Sequence, residues 1–92
     1  MEKRLTAELI PELFETILKL RTQEDCAAFF ADLCTEKEVE NMASRLAAAR
    51  LLLEGKTYLQ VIETVEISSA TLSRVSRCVR KGTGYTRMIE RD

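Results

Sequence analysis

Five basic side chains lie near the carboxyl end of the chain, in a segment without any acidic residue. Residues 67–89 contain Arg74, Arg77, Arg80, Lys81 and Arg87, whereas residues 1–66 hold 8 basic and 13 acidic side chains. A wholly cationic segment on an acidic body is typical of an element that binds a polyanion such as nucleic acid. A charge run alone is more often a solvated helix face, so the interpretation depends on how the cations are arranged.

Three of these cations share one face of a helix that the apolar spacing predicts over residues 69–81. Successive residues turn by about 100°, and the face expected to point outward combines small residues with cations: Ala70, Ser73, Arg74, Arg77 and Lys81. The opposite face is apolar: Leu72, Val75 and Val79. Small side chains at a helix start can approach base edges in the major groove, and long cations further along reach phosphates or guanine. The layout therefore predicts a DNA-recognition helix.

A short helix and a tight break precede this predicted recognition helix. Thr57 is a suitable N-terminal cap for a helix over residues 58–64, in which Leu59, Val61 and Ile62 are the apolar positions. Residues 65–67 form the break, Ser68 or Ser69 caps the next helix, and Gly82 and Gly84 end it near Lys81. Two helices with this connection are typical of a helix-turn-helix.

The amino-terminal half is also predicted to be helical. A first helix is expected from about Ile10 to Leu20 with Pro11 in its first turn, where the missing N–H costs little. Thr22 is expected to cap a second helix, with Asp25 in a weak capping-box position. Thr35 and Glu38 predict a capping box for a third helix that closes at Gly55. Residues 46–53 are apolar nearly all round, which predicts a helix without a solvated side.

Several functional classes lack the residues that they require. The 92 residues include no His, so the commonest general base and the commonest zinc ligand are both missing. The spacing of Cys26, Cys34 and Cys78 matches no metal or redox motif, which favours three reduced thiols in a cytoplasmic protein without a cofactor. No apolar run approaches the ~18 residues of a membrane span, and no signal peptide is visible. An enzyme is the weakest interpretation.

Four segments of the chain follow a pattern known from one protein family. They are residues 29–35 (Phe-Phe-Ala-Asp-Leu-Cys-Thr), 42–46 (Met-Ala-Ser-Arg-Leu), 52–58 (Leu-Leu-Glu-Gly-Lys-Thr-Tyr) and 69–75 (Ser-Ala-Thr-Leu-Ser-Arg-Val). These segments resemble the Trp repressor superfamily, in particular its TrpR-like branch, the YerC/YecD family of bacterial regulators. The resemblance implies an all-α, intertwined homodimer from which a helix-turn-helix projects on each side. Residues 1–92 would then form one domain, with dimerisation helices in 1–56, the helix-turn-helix in 57–81 and a tail in 82–92.

The resemblance also implies roles for individual residues. DNA contacts fall to the helix-turn-helix and the cations that follow: Thr57, Ser68, Ser69, Ala70, Thr71, Ser73, Arg74, Arg77, Arg80 and Lys81. The ligand pocket of the Trp repressor corresponds to Arg45, Thr71, Arg74 and Cys78. Val75, however, stands where that pocket has a glycine, and its side chain would fill the slot for an indole ring. We therefore expect the two arginines to be structural or DNA-contacting, and tryptophan not to be the effector.

Two residues of the helix-turn-helix depart from the pattern of the relatives. Glu66 replaces a glycine in the turn, which would cost ~1 kcal/mol if the residue had to be left-handed. Ile62 replaces a small alanine and would push the two helices apart.

The predicted function is a bacterial DNA-binding transcription regulator that acts as a homodimer on duplex DNA. The alternative is a helical adaptor whose basic face binds an acidic protein.

Overall fold

The computed structural model describes residues 2–91, which contain six α-helices and no β-strand. The helices are α1 (Thr6–Ile17), α2 (Gln23–Leu33), α3 (Glu36–Leu53), α4 (Tyr58–Thr64), α5 (Ser69–Lys81) and α6 (Gly84–Ile89). The all-α prediction is confirmed. Internal contacts divide the chain after Thr35 into two compact units, one with α1 and α2 and one with α3 to α6. The predicted single domain, with its segments 1–56, 57–81 and 82–92, stays a prediction.

The first helix starts earlier than its sequence predicts. We expected Ile10 to Leu20 with Pro11 in the first turn, but α1 spans Thr6–Ile17 and has Pro11 in its interior. Arg4 supports the added turn, because its guanidinium donates to Glu12 Oε1 at 2.7 Å and to the Glu8 carbonyl at 3.4 Å. The helix also ends earlier than expected, since the N–H groups of residues 19 and 20 bond to carbonyls three residues back, as in a tight 3₁₀ turn.

The second helix begins at the predicted cap. The Thr22 hydroxyl accepts from the Asp25 N–H at 3.0 Å. Asp25 Oδ2 in turn accepts from the Arg21 N–H at 3.1 Å, one residue before the N–H that a capping box would pair. The two reciprocal bonds satisfy N–H groups that the helix itself cannot pair, and they fix where α2 starts.

The second unit is built around α3, which packs against α4, α5 and α6. Its core consists of five side chains from three helices: Ala48, Ala49, Val61, Leu72 and Val75. Alanines on α3 allow the neighbouring helices to approach closely, and Leu72 and Val75 of α5 fill the space at 0% and 1% exposure. The predicted apolar face of the recognition helix is therefore the face that packs inward.

The helix-turn-helix has the predicted caps but differs in its packing. Thr57 and Gln60 form a complete capping box at the start of α4. Val61 is the single residue of α4 that is buried, whereas Leu59 and Ile62 remain 65% and 44% exposed. The expectation that Ile62 pushes the two helices apart stays a prediction. The expected cost at Glu66 does not arise, since no non-glycine residue in 2–91 has a positive φ.

The segment after α5 forms a helix, whereas the sequence predicts a tail and indicates no structure for it. Within residues 82–92, α6 spans Gly84–Ile89, and Asp92 lies outside the described residues. Tyr85 and Ile89 pack against the core of the second unit. The Thr86 hydroxyl donates to the Val79 carbonyl at 3.3 Å, which ties α6 to the last turn of α5.

Two glycines end helices in the left-handed conformation. Gly55 has φ 90° after α3, where the Lys56 and Gly55 N–H groups bond to the Leu51 and Leu52 carbonyls in a Schellman motif. Gly82 has φ 70° after α5. Both conformations are costly for residues with a Cβ.

Replacing Gly82 with alanine should lower the free energy of unfolding by about 1 kcal/mol, because alanine must adopt the same positive φ. Gly84 is the matched control. It begins α6 in open space without a positive φ, so Gly84→Ala should be neutral or stabilising by up to ~1 kcal/mol. Urea denaturation of both variants measures the difference. Equal effects would show that the backbone at Gly82 does not need glycine.

Candidate nucleic-acid interface

The outward face of α5 consists of the residues that its sequence predicts. The residues of the predicted DNA-contacting set that lie exposed are Thr57, Ser68, Ser69, Ala70, Ser73, Arg74, Arg77, Arg80 and Lys81. Thr71 is half-buried. Leu72 and Val75 lie on the buried side, so one helix presents a polar and cationic surface while its other side is anchored in the core.

The four cations of α5, and Arg87 of α6, have no protein partners among residues 2–91. Arg74, Arg77, Arg80, Lys81 and Arg87 take part in no ion pair or hydrogen bond there. By contrast, Arg4 in the first unit is paired with Glu12 at 2.7 Å. An unpaired and exposed guanidinium can bind a phosphate without first breaking an internal salt bridge. The arrangement therefore suits a cationic surface for phosphates.

The hydroxyl of Ser68 is engaged by the cap of α5. It accepts from the Thr71 N–H at 3.1 Å and donates to Thr71 Oγ1 at 2.9 Å. Ser69 and Ser73 are exposed, and their hydroxyls have no partner in the described part of the chain. Among the predicted base-contacting serines, Ser68 thus fixes the start of the helix, whereas Ser69 and Ser73 are available to an external ligand.

The four residues that correspond to the Trp repressor ligand pocket do not line one cavity. Arg45 and Thr71 line a cavity of about 370 Å³ between α3, the turn before α5 and the start of α5. Cys78 lines a different, apolar cavity between α3, α5 and α6. Arg74 lines neither cavity and is exposed. The expectation that the two arginines do not form a clamp stays a prediction.

Two polar residues outside the predicted set lie in the cavity beside Arg45. Lys37 and Asn41 belong to α3, and with Arg45 they recur every four residues, which places all three on one side of that helix. This spacing is visible in the sequence. It does not indicate a site by itself, because Lys37 stands among the acidic residues that open α3.

In residues 2–91 no group of three or more Cys, Asp or Glu side chains is placed to hold a metal ion. The three cysteines are free. No helix in the same range is both long and apolar enough to cross a membrane.

The fold and the exposed face of α5 define the class of a helix-turn-helix protein, and comparison with known proteins identifies its family. The family model for the Trp repressor protein matches residues 8–92. The chain belongs to this family, whose members are DNA-binding transcription regulators rather than enzymes. The superfamily resemblance of the sequence is thereby confirmed.

Individual relatives support the same assignment. The chain is 43% identical over 79 residues to the uncharacterized protein YerC of Bacillus subtilis (strain 168), covering 86% of this chain and 76% of that protein. The crystal structure of a TrpR-like protein from Eubacterium eligens ATCC 27750 superposes with a TM-score of 0.85 at 37% identity, covering 94% of this chain and 90% of that one. A structure from Staphylococcus aureus has a TM-score of 0.84 at 38% identity, with coverages of 95% and 86%.

Proposed function

We propose that the protein is a sequence-specific, repressor-like transcription regulator that binds duplex DNA as a homodimer in the bacterial cytoplasm. The observation that carries the proposal is the outward face of α5, where small polar residues precede unpaired cations. Family membership supports the general kind of function. The face supports the specific mode, because a helix of this design fits the major groove with its start against base edges.

The roles of the residues follow from their positions on α5. Ser69, Ala70 and Ser73 lie exposed in the first half of the helix and read base edges by hydrogen bonds and apolar contact. Arg74, Arg77 and Arg80 hold phosphates or a guanine, together with Lys81. Ser68 fixes the start of α5 by accepting from the Thr71 N–H. Thr57 fixes the start of α4 by accepting from the Gln60 N–H.

The homodimer is supported by apolar surface that the first unit leaves exposed. Neither α1 nor α2 contains a buried residue. One side of α1 carries large apolar side chains that are more than a third exposed: Leu9, Ile10, Leu13 and Phe14. Surfaces of this kind mark interfaces. A second copy of the chain is the simplest partner, since two-fold dimers are the commonest assemblies and present two recognition helices to successive major grooves.

The adaptor hypothesis has less support from the same surface. Protein interfaces are usually anchored by aromatic side chains near their centre. The outward face of α5 has none, since its exposed residues are Ser, Ala, Arg and Lys. An adaptor would co-purify with an acidic protein and would not be retained on duplex DNA at ~50 mM salt.

Selection from a random pool of duplex DNA tests the proposal. We expect the protein to enrich fragments that share a palindrome, with half-site centres separated by about 34 Å, or one helical turn. The molar mass of the free protein, measured by sedimentation, should be that of two chains. Enrichment of non-palindromic sites by a monomer would contradict the dimer. A pool without any shared motif, with weak retention throughout, would contradict sequence-specific DNA binding.

A further inference from the structure

The connection between α4 and α5 presents one carboxylate beside the start of α5. The backbone is extended at Val65 and at Ser68, and burial alternates along the four residues from 65 to 68. Val65 and Ile67 are half-buried, and Ile67 packs against the core of the second unit. Glu66 and Ser68 are exposed. Because successive side chains of an extended segment point to opposite sides, Glu66 points outward together with the residue that caps α5.

The Glu66 carboxylate has no partner in the described part of the chain. It makes no ion pair or hydrogen bond within residues 2–91, although Lys37 and Arg45 line the same cavity. It is the single acid in residues 65–89, a range that contains five cations. A carboxylate in this position repels the phosphates of every duplex. It therefore lowers the affinity for DNA unless it also finds a hydrogen-bond donor there.

The chemistry of the carboxylate determines which base it can contact. An ionised glutamate only accepts hydrogen bonds. In the major groove, guanine and thymine present acceptors, and adenine has its N7 acceptor next to its N6 amino group. Cytosine presents its N4 amino group without an acceptor of its own beside it, and this amino group is the one from which glutamate accepts. A carboxylate at the start of a recognition helix therefore favours cytosine.

We propose that Glu66 is a specificity-determining residue, whose carboxylate accepts from the N4 amino group of one cytosine in each half-site. The inference rests on the proposed function, since it requires the start of α5 to lie in the major groove. Glu66 precedes the capping residue Ser68 by two positions, so their Cα atoms are within about 7 Å of each other. The carboxylate thus reaches the bases that the first residues of α5 approach. Its charge also rejects the acceptor edges of guanine and thymine, which adds to the discrimination.

Selection from a random duplex pool, with the parent protein and with Glu66→Gln, tests the inference. The parent motif should contain a cytosine in each half-site whose replacement lowers affinity about fivefold to a hundredfold, the usual cost of a mismatched base pair. Glu66→Gln should change the preference at this position alone, from cytosine to adenine, because an amide pairs with adenine N6 and N7.

Glu63→Gln is the matched control for the change of charge. Glu63 is an exposed acid of α4 and has no partner in residues 2–91. Its replacement should raise the affinity for all duplexes, because one charge that repels phosphate is removed, and should leave every base preference unchanged.

A duplex with N4-methylcytosine at the selected position tests the hydrogen bond itself. This base still pairs with guanine, but a methyl group replaces the hydrogen that faces the major groove. It should weaken binding by the parent protein about fivefold or more and should not affect Glu66→Ala. A shared palindrome with identical preferences in the parent and Glu66→Gln, or a parent protein that tolerates the methyl group, would overturn the inference and leave the proposed function intact. A pool without any shared motif would overturn both.

Discussion

The double substitution Arg77→Ala/Arg80→Ala should abolish most of the affinity for duplex DNA. A dimer that uses three or four cations per protomer should show a log–log salt slope between about −5 and −7, at about 0.9 per neutralised phosphate. The variant removes four phosphate contacts per dimer, so the slope should weaken to between about −2 and −4. At ~0.1 M salt each such contact is worth roughly a factor of eight, so the loss in affinity is on the order of a thousandfold. Fluorescence anisotropy across a salt series measures both quantities.

Controls separate this loss from an effect of charge or stability. Lys19→Ala/Arg21→Ala also removes two exposed cations, but from the first unit, and should leave the slope unchanged. The thermal midpoint of Arg77→Ala/Arg80→Ala should match that of the parent protein, because both side chains are exposed and unpaired. An unchanged slope in this variant would locate the phosphate contacts elsewhere on the surface.

Local signals in the sequence predicted the second unit well. Thr57, Ser68 and Gly82 each act within four residues of their own position, as caps that begin or end a helix. The faces of α5 follow from helical periodicity, because a residue's angle around the axis depends only on its number. These two kinds of information placed the exposed cations and the buried Leu72 without knowledge of the rest of the fold.

Other features could not be predicted because they depend on contacts that are distant in the sequence. The helix α6 is held by packing of Tyr85 and Ile89 on the core, which its six residues do not indicate by themselves. The position of Pro11 inside α1 depends on support from Arg4, which reaches Glu12 from eight residues away. The cavity at Lys37 joins α3 to a turn nearly thirty residues later, so its members share no local pattern.

Truncation of Leu72, the fully buried leucine of α5, should have the largest effect on stability among the substitutions proposed for this protein. Leu72 is fully buried between α5 and the alanines of α3. Leu72→Ala should lower the free energy of unfolding by about 2 to 5 kcal/mol, since the lost apolar contact and the cavity left behind both contribute. That is a large share of the ~5 to 15 kcal/mol that stabilise an ordinary domain. For a domain of this size we expect the thermal midpoint to fall by at least about 8 °C.

Leu59→Ala provides the matched control, because Leu59 lies on the neighbouring helix and is 65% exposed. It should change stability by less than about 0.5 kcal/mol. All variants should be compared at one protein concentration, since the stability of a dimer depends on concentration. Well below its midpoint, Leu72→Ala should retain the DNA affinity and salt slope of the parent protein, because its side chain lies on the side of α5 away from Arg77. A loss of less than 1 kcal/mol in Leu72→Ala, or a weakened salt slope with stability intact, would contradict the assignment of the two faces of this helix.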